Sequence, residues 1–132
     1  MSINVVTATV PRKHHGGKVY FCKHFDSADL SGCEQIMAMP SGANHIYLKK
    51  LVIASTVSLT VTLGDGETSG SLTTDVLGPI TLNRDIGTPD AHVAPATIFH
   101  HEFLNELDFS TDVSIDASDA GTVWGLIEGF YA

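Results

Sequence analysis

Apolar residues recur at every second position in short runs along the chain, and Gly, Pro, Ser, Asp and Asn separate the runs. A period of two puts successive side chains on opposite faces of an extended backbone, so the pattern predicts half-buried β-strands joined by turns. In Val19-Tyr20-Phe21-Cys22-Lys23-His24-Phe25 the inward positions are Val19, Phe21 and Phe25. Residues 34–38 read as a short strand closed by Pro40-Ser41-Gly42. Residues 47–54 are β-branched and apolar, and residues 58–63 alternate with Leu59, Val61 and Leu63 inward. These two runs are expected to form a hairpin across Ser55-Thr56-Val57.

Residues 64–71 read as a polar turn, and residues 76–82 as a strand containing Pro79. Pro has no N–H to donate, so that strand belongs at an edge or carries a bulge. Residues 84–97, with Gly87, Pro89 and Pro95, make the longest irregular stretch. Strands resume over 98–103, 113–117 and 123–130; in the last, Val123, Gly125, Ile127 and Gly129 alternate with Trp124, Leu126, Glu128 and Phe130. Helical spacing is not sustained anywhere, and residues 103–107 have room for one helical turn at most. About eight strands in 132 residues predict an all-β, single-domain antiparallel β-sandwich with jelly-roll-like closure. Residues 1–18 are expected to form a basic N-terminal arm, and residues 19–132 the sandwich.

Composition adds a hint about partners. Charged residues are 17% of the chain, below the roughly 25% of an average soluble protein. So few charges favour a surface partly hidden against neighbours, hence a homo-oligomer. Residues 1–25 hold Arg12, Lys13, Lys18 and Lys23 and no acid, while all fifteen acids follow. The basic segment is expected to lie over the acidic body of a neighbouring subunit, through Arg12, Lys13 and Lys18. A net charge of −8 argues against nucleic acid as a partner. No apolar run reaches the 18 residues of a spanning helix, and the first residues lack a charged-then-apolar leader, so no membrane partner is expected. Cys22 and Cys33 read as reduced thiols of a protein made in a cytoplasm, with a bridge between them left open.

Motifs that carry reactions are missing: there is no Gly-x-Ser-x-Gly, no His-Glu-x-x-His, and Gly16-Gly17-Lys18 lacks the spacing of a phosphate loop. His14-His15 and His100-His101 are adjacent pairs, and strand neighbours point to opposite faces, so neither pair chelates one ion. Each could supply one ligand at a symmetry axis. Cys22 and His24 share a face and Cys33 could approach, but a closed zinc site takes four ligands. Acids at Asp65, Glu67, Asp116 and Asp119 fit turn chemistry better than a calcium loop. Asn44, His45 and Tyr47 are the only nearby trio for a sugar site, and a turn and strand start explain them better. The expectation is a non-enzyme without metal or cofactor.

The order of elements carries a resemblance. Ile36-Met37-Ala38-Met39-Pro40-Ser41-Gly42 precedes the strand Ile46-Tyr47-Leu48-Lys49-Lys50-Leu51-Val52-Ile53. Val57-Ser58-Leu59-Thr60-Val61-Thr62-Leu63 then runs into Gly64-Asp65-Gly66, and Leu77-Gly78-Pro79-Ile80-Thr81-Leu82 follows. The close is Val113-Ser114-Ile115-Asp116-Ala117-Ser118 and Val123-Trp124-Gly125-Leu126-Ile127-Glu128-Gly129-Phe130-Tyr131. Over about three-quarters of its length the chain thus resembles small jelly-roll virion structural proteins of tailed bacteriophages, of the head decoration or head-fibre type. The resemblance implies a capsid decoration or cement protein, located in the virion and made in the host cytoplasm. It would bind the major capsid protein or other virion proteins, with a trimer favoured. The alternative it implies is a tail, neck or fibre-associated component that touches the host surface. It brings no catalytic residues. Phe99, Phe103, Trp124 and Tyr131 are the expected interface anchors, because aromatics carry much interface energy. The basic first 25 residues and the 84–97 loop depart from the group.

Overall fold

Alternation makes strands but does not say which ones pair; here two strands of 19 residues settle the pairing. The structure, a computed structural model, describes residues 3–7, 17–83 and 98–132. They form β1 (Ile3–Thr7), β2 (Val19–Met37), β3 (Ile46–Ser55), β4 (Leu59–Thr68), β5 (Ser71–Leu82), β6 (Ile98–Phe109) and β7 (Val113–Tyr131). Every pairing is antiparallel. The fold is all-β, as the periodicity requires.

β2 and β7 pair from Val19↔Tyr131 to Met37↔Val113, with register shifts around Ser27, Leu30 and Gly32. Such irregularities bend a strand and increase its twist. Beyond them the neighbours change: β3 lies along residues 123–131 of β7, and β4 along residues 113–117. The two long strands therefore serve two sheets. One holds β1, the first half of β2, the second half of β7, β3 and β6; the other holds the remaining halves of β2 and β7 with β4 and β5. Divided at their bends, the strands give the orders β2-β7-β3-β6 and β2-β7-β4-β5, the two-sheet arrangement of an eight-segment jelly roll. β1 extends the first sheet at its edge.

Short crossings bring the sheets face to face. β6 ends with Phe109 beside Ile46 in the first sheet, and residues 110–112 carry the chain to Val113 beside Asp65 in the second. The Asp65 carboxylate holds this crossing by accepting from the backbone N–H groups of Ser110 and Thr111 at 2.9 and 2.7 Å and from their hydroxyls at 2.7 and 2.6 Å. Gly66 N–H donates to the Asp112 carbonyl at 3.0 Å, and Asp112 in turn accepts from Met39 N–H at 3.1 Å. Between the sheets a single apolar cluster takes Phe21, Phe25, Leu48, Leu51, Ile53 and Ile127 from one side and Ile36, Val61, Leu63, Leu82 and Ile115 from the other. Each such side chain contributes roughly 1.5–3 kcal/mol on burial.

Several expectations change. Residues 47–54 and 58–63 do not form a hairpin: β3 and β4 follow one another along the same edge of β7, each paired with it. A local hairpin would need a turn that reverses the chain, and residues 56–58 only pass it from one sheet to the next. Residues 34–38 belong to the end of β2, and 113–117 and 123–130 belong to one strand. The polar run 64–71 is mostly strand, with the reversal at Ser69 and Gly70, whose φ angles are 53° and 80°. Residues 103–107 are strand with a bulge, not helix. Pro79 sits in β5, which among the described residues pairs with β4 alone and is an edge strand, a place that suits a residue without an N–H. Of the expected arm, residues 3–7 are β1; residues 8–16, with Arg12, Lys13 and the His14-His15 pair, lie outside the described residues, as does the 84–97 loop.

Candidate functional site

The outer faces of the two sheets differ. In register across β2, β7, β3 and β6, the first sheet's outward positions form four rows. They are Tyr20–Phe130–Tyr47–Asp108, Cys22–Glu128–Lys50–Glu102, His24–Leu126–Val52–His100 and Asp26–Trp124–Ala54–Ile98. The outer face of a solvated antiparallel sheet is normally polar. Here the central strands β7 and β3 put Trp124, Leu126 and Val52 outward, each half-buried, with Ala54 buried beneath its neighbours, and the polar groups His24, His100 and Asp26 stand beside them. Ile98, at the edge of this patch, is 67% exposed. On the second sheet the outward row Cys33–Asp116–Thr62 is polar, with exposed Gln35 and Thr81 beside it. These outward positions of the second sheet are thus more polar than the Trp124–Leu126–Val52 region of the first.

The opposite end of the first sheet's face is aromatic and charged. Tyr20 and Tyr47 flank the buried Phe130 ring at 5.5 and 4.9 Å between centroids, and Lys18 Nζ lies 4.6 Å from its centre. His45 stacks on Tyr47 at 5.6 Å and shares a 2.8 Å hydrogen bond with Asp108 through Nδ1. Next to this row β3 carries one extra residue, Lys49, against β7, while β6 carries residues 103–106 against it. The two irregularities open a groove of about 430 Å³ lined by Tyr20, Lys49, Lys50, Glu102, Phe103 and Glu128. Gly129 also lines it, and a Cβ there would run into the Tyr47 carbonyl oxygen, so the sheet keeps its close approach only with glycine. Gly125 meets the Val52 carbonyl in the same way.

The aromatic residues singled out from the sequence fall in three places. Trp124 lies in the apolar outward patch. Tyr131, at the end of β7, stacks on Phe21 at 6.2 Å and packs against the core. Phe99 and Phe103 sit along the edge strand β6 with His101 between them, its ring 6.1 and 4.8 Å from theirs. Lys18 is spent on the Phe130 ring. The outward positions Leu126, Val52 and Ala54 were not singled out by sequence reading. Their signal was present, because alternation in β3 and β7 leaves apolar residues on both faces.

Among the described residues no three His, Cys, Asp or Glu side chains are gathered closely enough to hold a metal. Cys22 and Cys33 are free and belong to different sheets. Burial, then Glu128, raises the Cys22 pKa against the opposing pull of Lys50. Burial, with Glu67, Asp116 and Glu34 after it, pushes Cys33 up to about 11. Both thiols are thereby kept protonated and sluggish as nucleophiles. Comparison of the chain with protein-family models, with curated proteins and with solved structures finds no match.

Proposed function

We infer that the chain is a structural subunit of a larger protein assembly and that the outer face of the first sheet is its docking surface. The observation that carries this reading is the apolar patch of that face, half-buried Trp124, Leu126 and Val52 with exposed Ile98 at its edge, beside the polar His24, Asp26 and His100. An apolar patch with a polar rim is the anatomy of a protein–protein interface. The assembly that the order of elements suggests is a tailed-phage head, with the chain as a decoration or cement protein on the major capsid protein. Many copies bound at symmetry-related joints would each add modest interface area, and linkage between them multiplies the effect. A jelly roll whose first sheet carries an apolar patch on its outer face suits this role: the patch for the shell, the more polar second sheet for solvent.

The test is mass spectrometry of purified particles together with reconstitution. Hundreds of copies per particle support a shell location, while a dozen or fewer point to the tail, neck or fibre. Trp124→Ser with Leu126→Ser should leave a folded sandwich that no longer incorporates. Unchanged incorporation would move the docking surface elsewhere. Neutralising Arg12 and Lys13 tests the basic segment more cleanly than deletion, because residues 3–7 form β1 and their removal exposes the edge of β2.

A further inference from the structure

We propose that the groove between Tyr20 and Phe103 is a binding site for a neutral saccharide. Its volume of about 430 Å³ lies in the range of small-molecule sites, roughly 300–1,000 Å³. Two ammonium groups and two carboxylates, Lys49, Lys50, Glu102 and Glu128, line it and cancel in charge. The groove therefore offers no net attraction to an anion or a cation, yet presents both donors and acceptors. A sugar hydroxyl is donor and acceptor at once. Register places Lys50 between Glu102 and Glu128 on the neighbouring strands. Lys50 Nζ and Glu128 Oε2 are 3.9 Å apart, with side chains 29% and 49% exposed. That is too long for a direct hydrogen bond, which needs about 2.7–3.2 Å. A hydroxyl between them accepts from the ammonium and donates to the carboxylate, completing both.

The aromatic walls supply the other half of sugar recognition. The C–H face of a pyranose is apolar and packs on a flat ring. Tyr20 is 40% exposed and packs on Phe130, and half-buried Phe103 packs against the core with His101 edge-on to its ring. Rings held from behind lose little freedom when a ligand covers them. The groove lies in the row next to Leu126–Val52 and two rows from Trp124–Ala54–Ile98, on the same face as the proposed docking patch. Its own lining, and not the assembly role, carries the site.

The test uses the full chain with glucose, galactose, N-acetylglucosamine and short oligomers of each. Sulfated and sialylated glycans serve as charged comparisons. Saturation-transfer difference NMR should show contact with the ring C–H protons of at least one neutral sugar, and calorimetry should then give its affinity. Tyr20→Ala is expected to weaken that affinity about tenfold, equivalent to about 1.4 kcal/mol. Glu128→Gln should weaken it in the same direction, while Tyr20→Phe, which keeps the ring, and Trp124→Ser, outside the groove, should retain it. Circular dichroism of each variant separates lost binding from lost fold. No transfer from any neutral sugar, binding confined to charged glycans, or an unchanged affinity in folded Tyr20→Ala would overturn the proposal.

Discussion

Replacing Asp65 with Ala removes the acceptor of four of the hydrogen bonds that fix the crossing from β6 to β7. Two of the donors are backbone N–H groups in a turn that has no ladder partner to offer instead. Hydrogen bonds to a charged group contribute about 1.5–3 kcal/mol each in favourable settings. The carboxylate is partly exposed and water can replace part of the loss, so the total expected is about 2–4 kcal/mol. Against a domain stability of about 5–15 kcal/mol, that is a large fraction. Asp65→Asn should cost less, because one side-chain oxygen still accepts while the new NH₂ faces a donor. Urea denaturation followed by Trp124 fluorescence measures both variants.

The same group sets a pH dependence. Burial alone would raise the Asp65 pKa, but the hydrogen bonds from Thr111 and Ser110 outweigh it and hold the carboxyl below its ordinary value. A depressed pKa contributes stability that is fully present above the unfolded value of about 3.9 and is lost as pH falls through the folded one. The gap between the wild type and Asp65→Ala should therefore be constant near neutrality and shrink as the pH falls below about 4. If Asp65→Ala stays within about 0.5 kcal/mol of the wild type at pH 7, the span of an ordinary surface substitution, the crossing is held by something else.

Three further outcomes follow from the geometry. Gly125→Ala and Gly129→Ala should each destabilise by about 1–3 kcal/mol or more, because the new methyl meets a neighbouring strand's carbonyl. Gly121→Ala should cost less, since its obstacle is the Val57 side chain, which can move; thermal melts that rank the three alike would refute the distinction. Trp124→Ser with Leu126→Ser should shift any concentration-dependent self-association seen by sedimentation towards the monomer. A parent chain already monomeric at high concentration would restrict the patch to a different partner. Cys33, with its pKa pushed up to about 11, should react with a thiol reagent at pH 8 roughly tenfold more slowly than a free cysteine, and comparable rates would contradict its acidic, partly buried setting.

The alternation in residues 19–25 and 58–63 was enough to name inward faces: Phe21, Phe25, Leu59, Val61 and Leu63 are buried where it puts them, and Val19 is half-buried. In residues 123–130 it showed a strand but no inward face. It did not reveal that β3 and β4 run on along one edge of β7, because period-two patterning reports which face a residue takes and carries no information about which strand lies beside it. The bends in β2 and β7 were hidden for a related reason: where a strand leaves one sheet for another, its sequence looks like a turn between two strands. The groove was less legible still. Tyr20, Lys50, Glu102, Phe103 and Glu128 come from four strands and meet only because the register across β2, β7, β3 and β6 aligns them and two bulges part the sheet. Local sequence determines the strand and its inward face through the pleat of one chain segment. Pairing, sheet crossing and the site depend on contacts between residues far apart in the chain, and those are decided only by the closed tertiary fold.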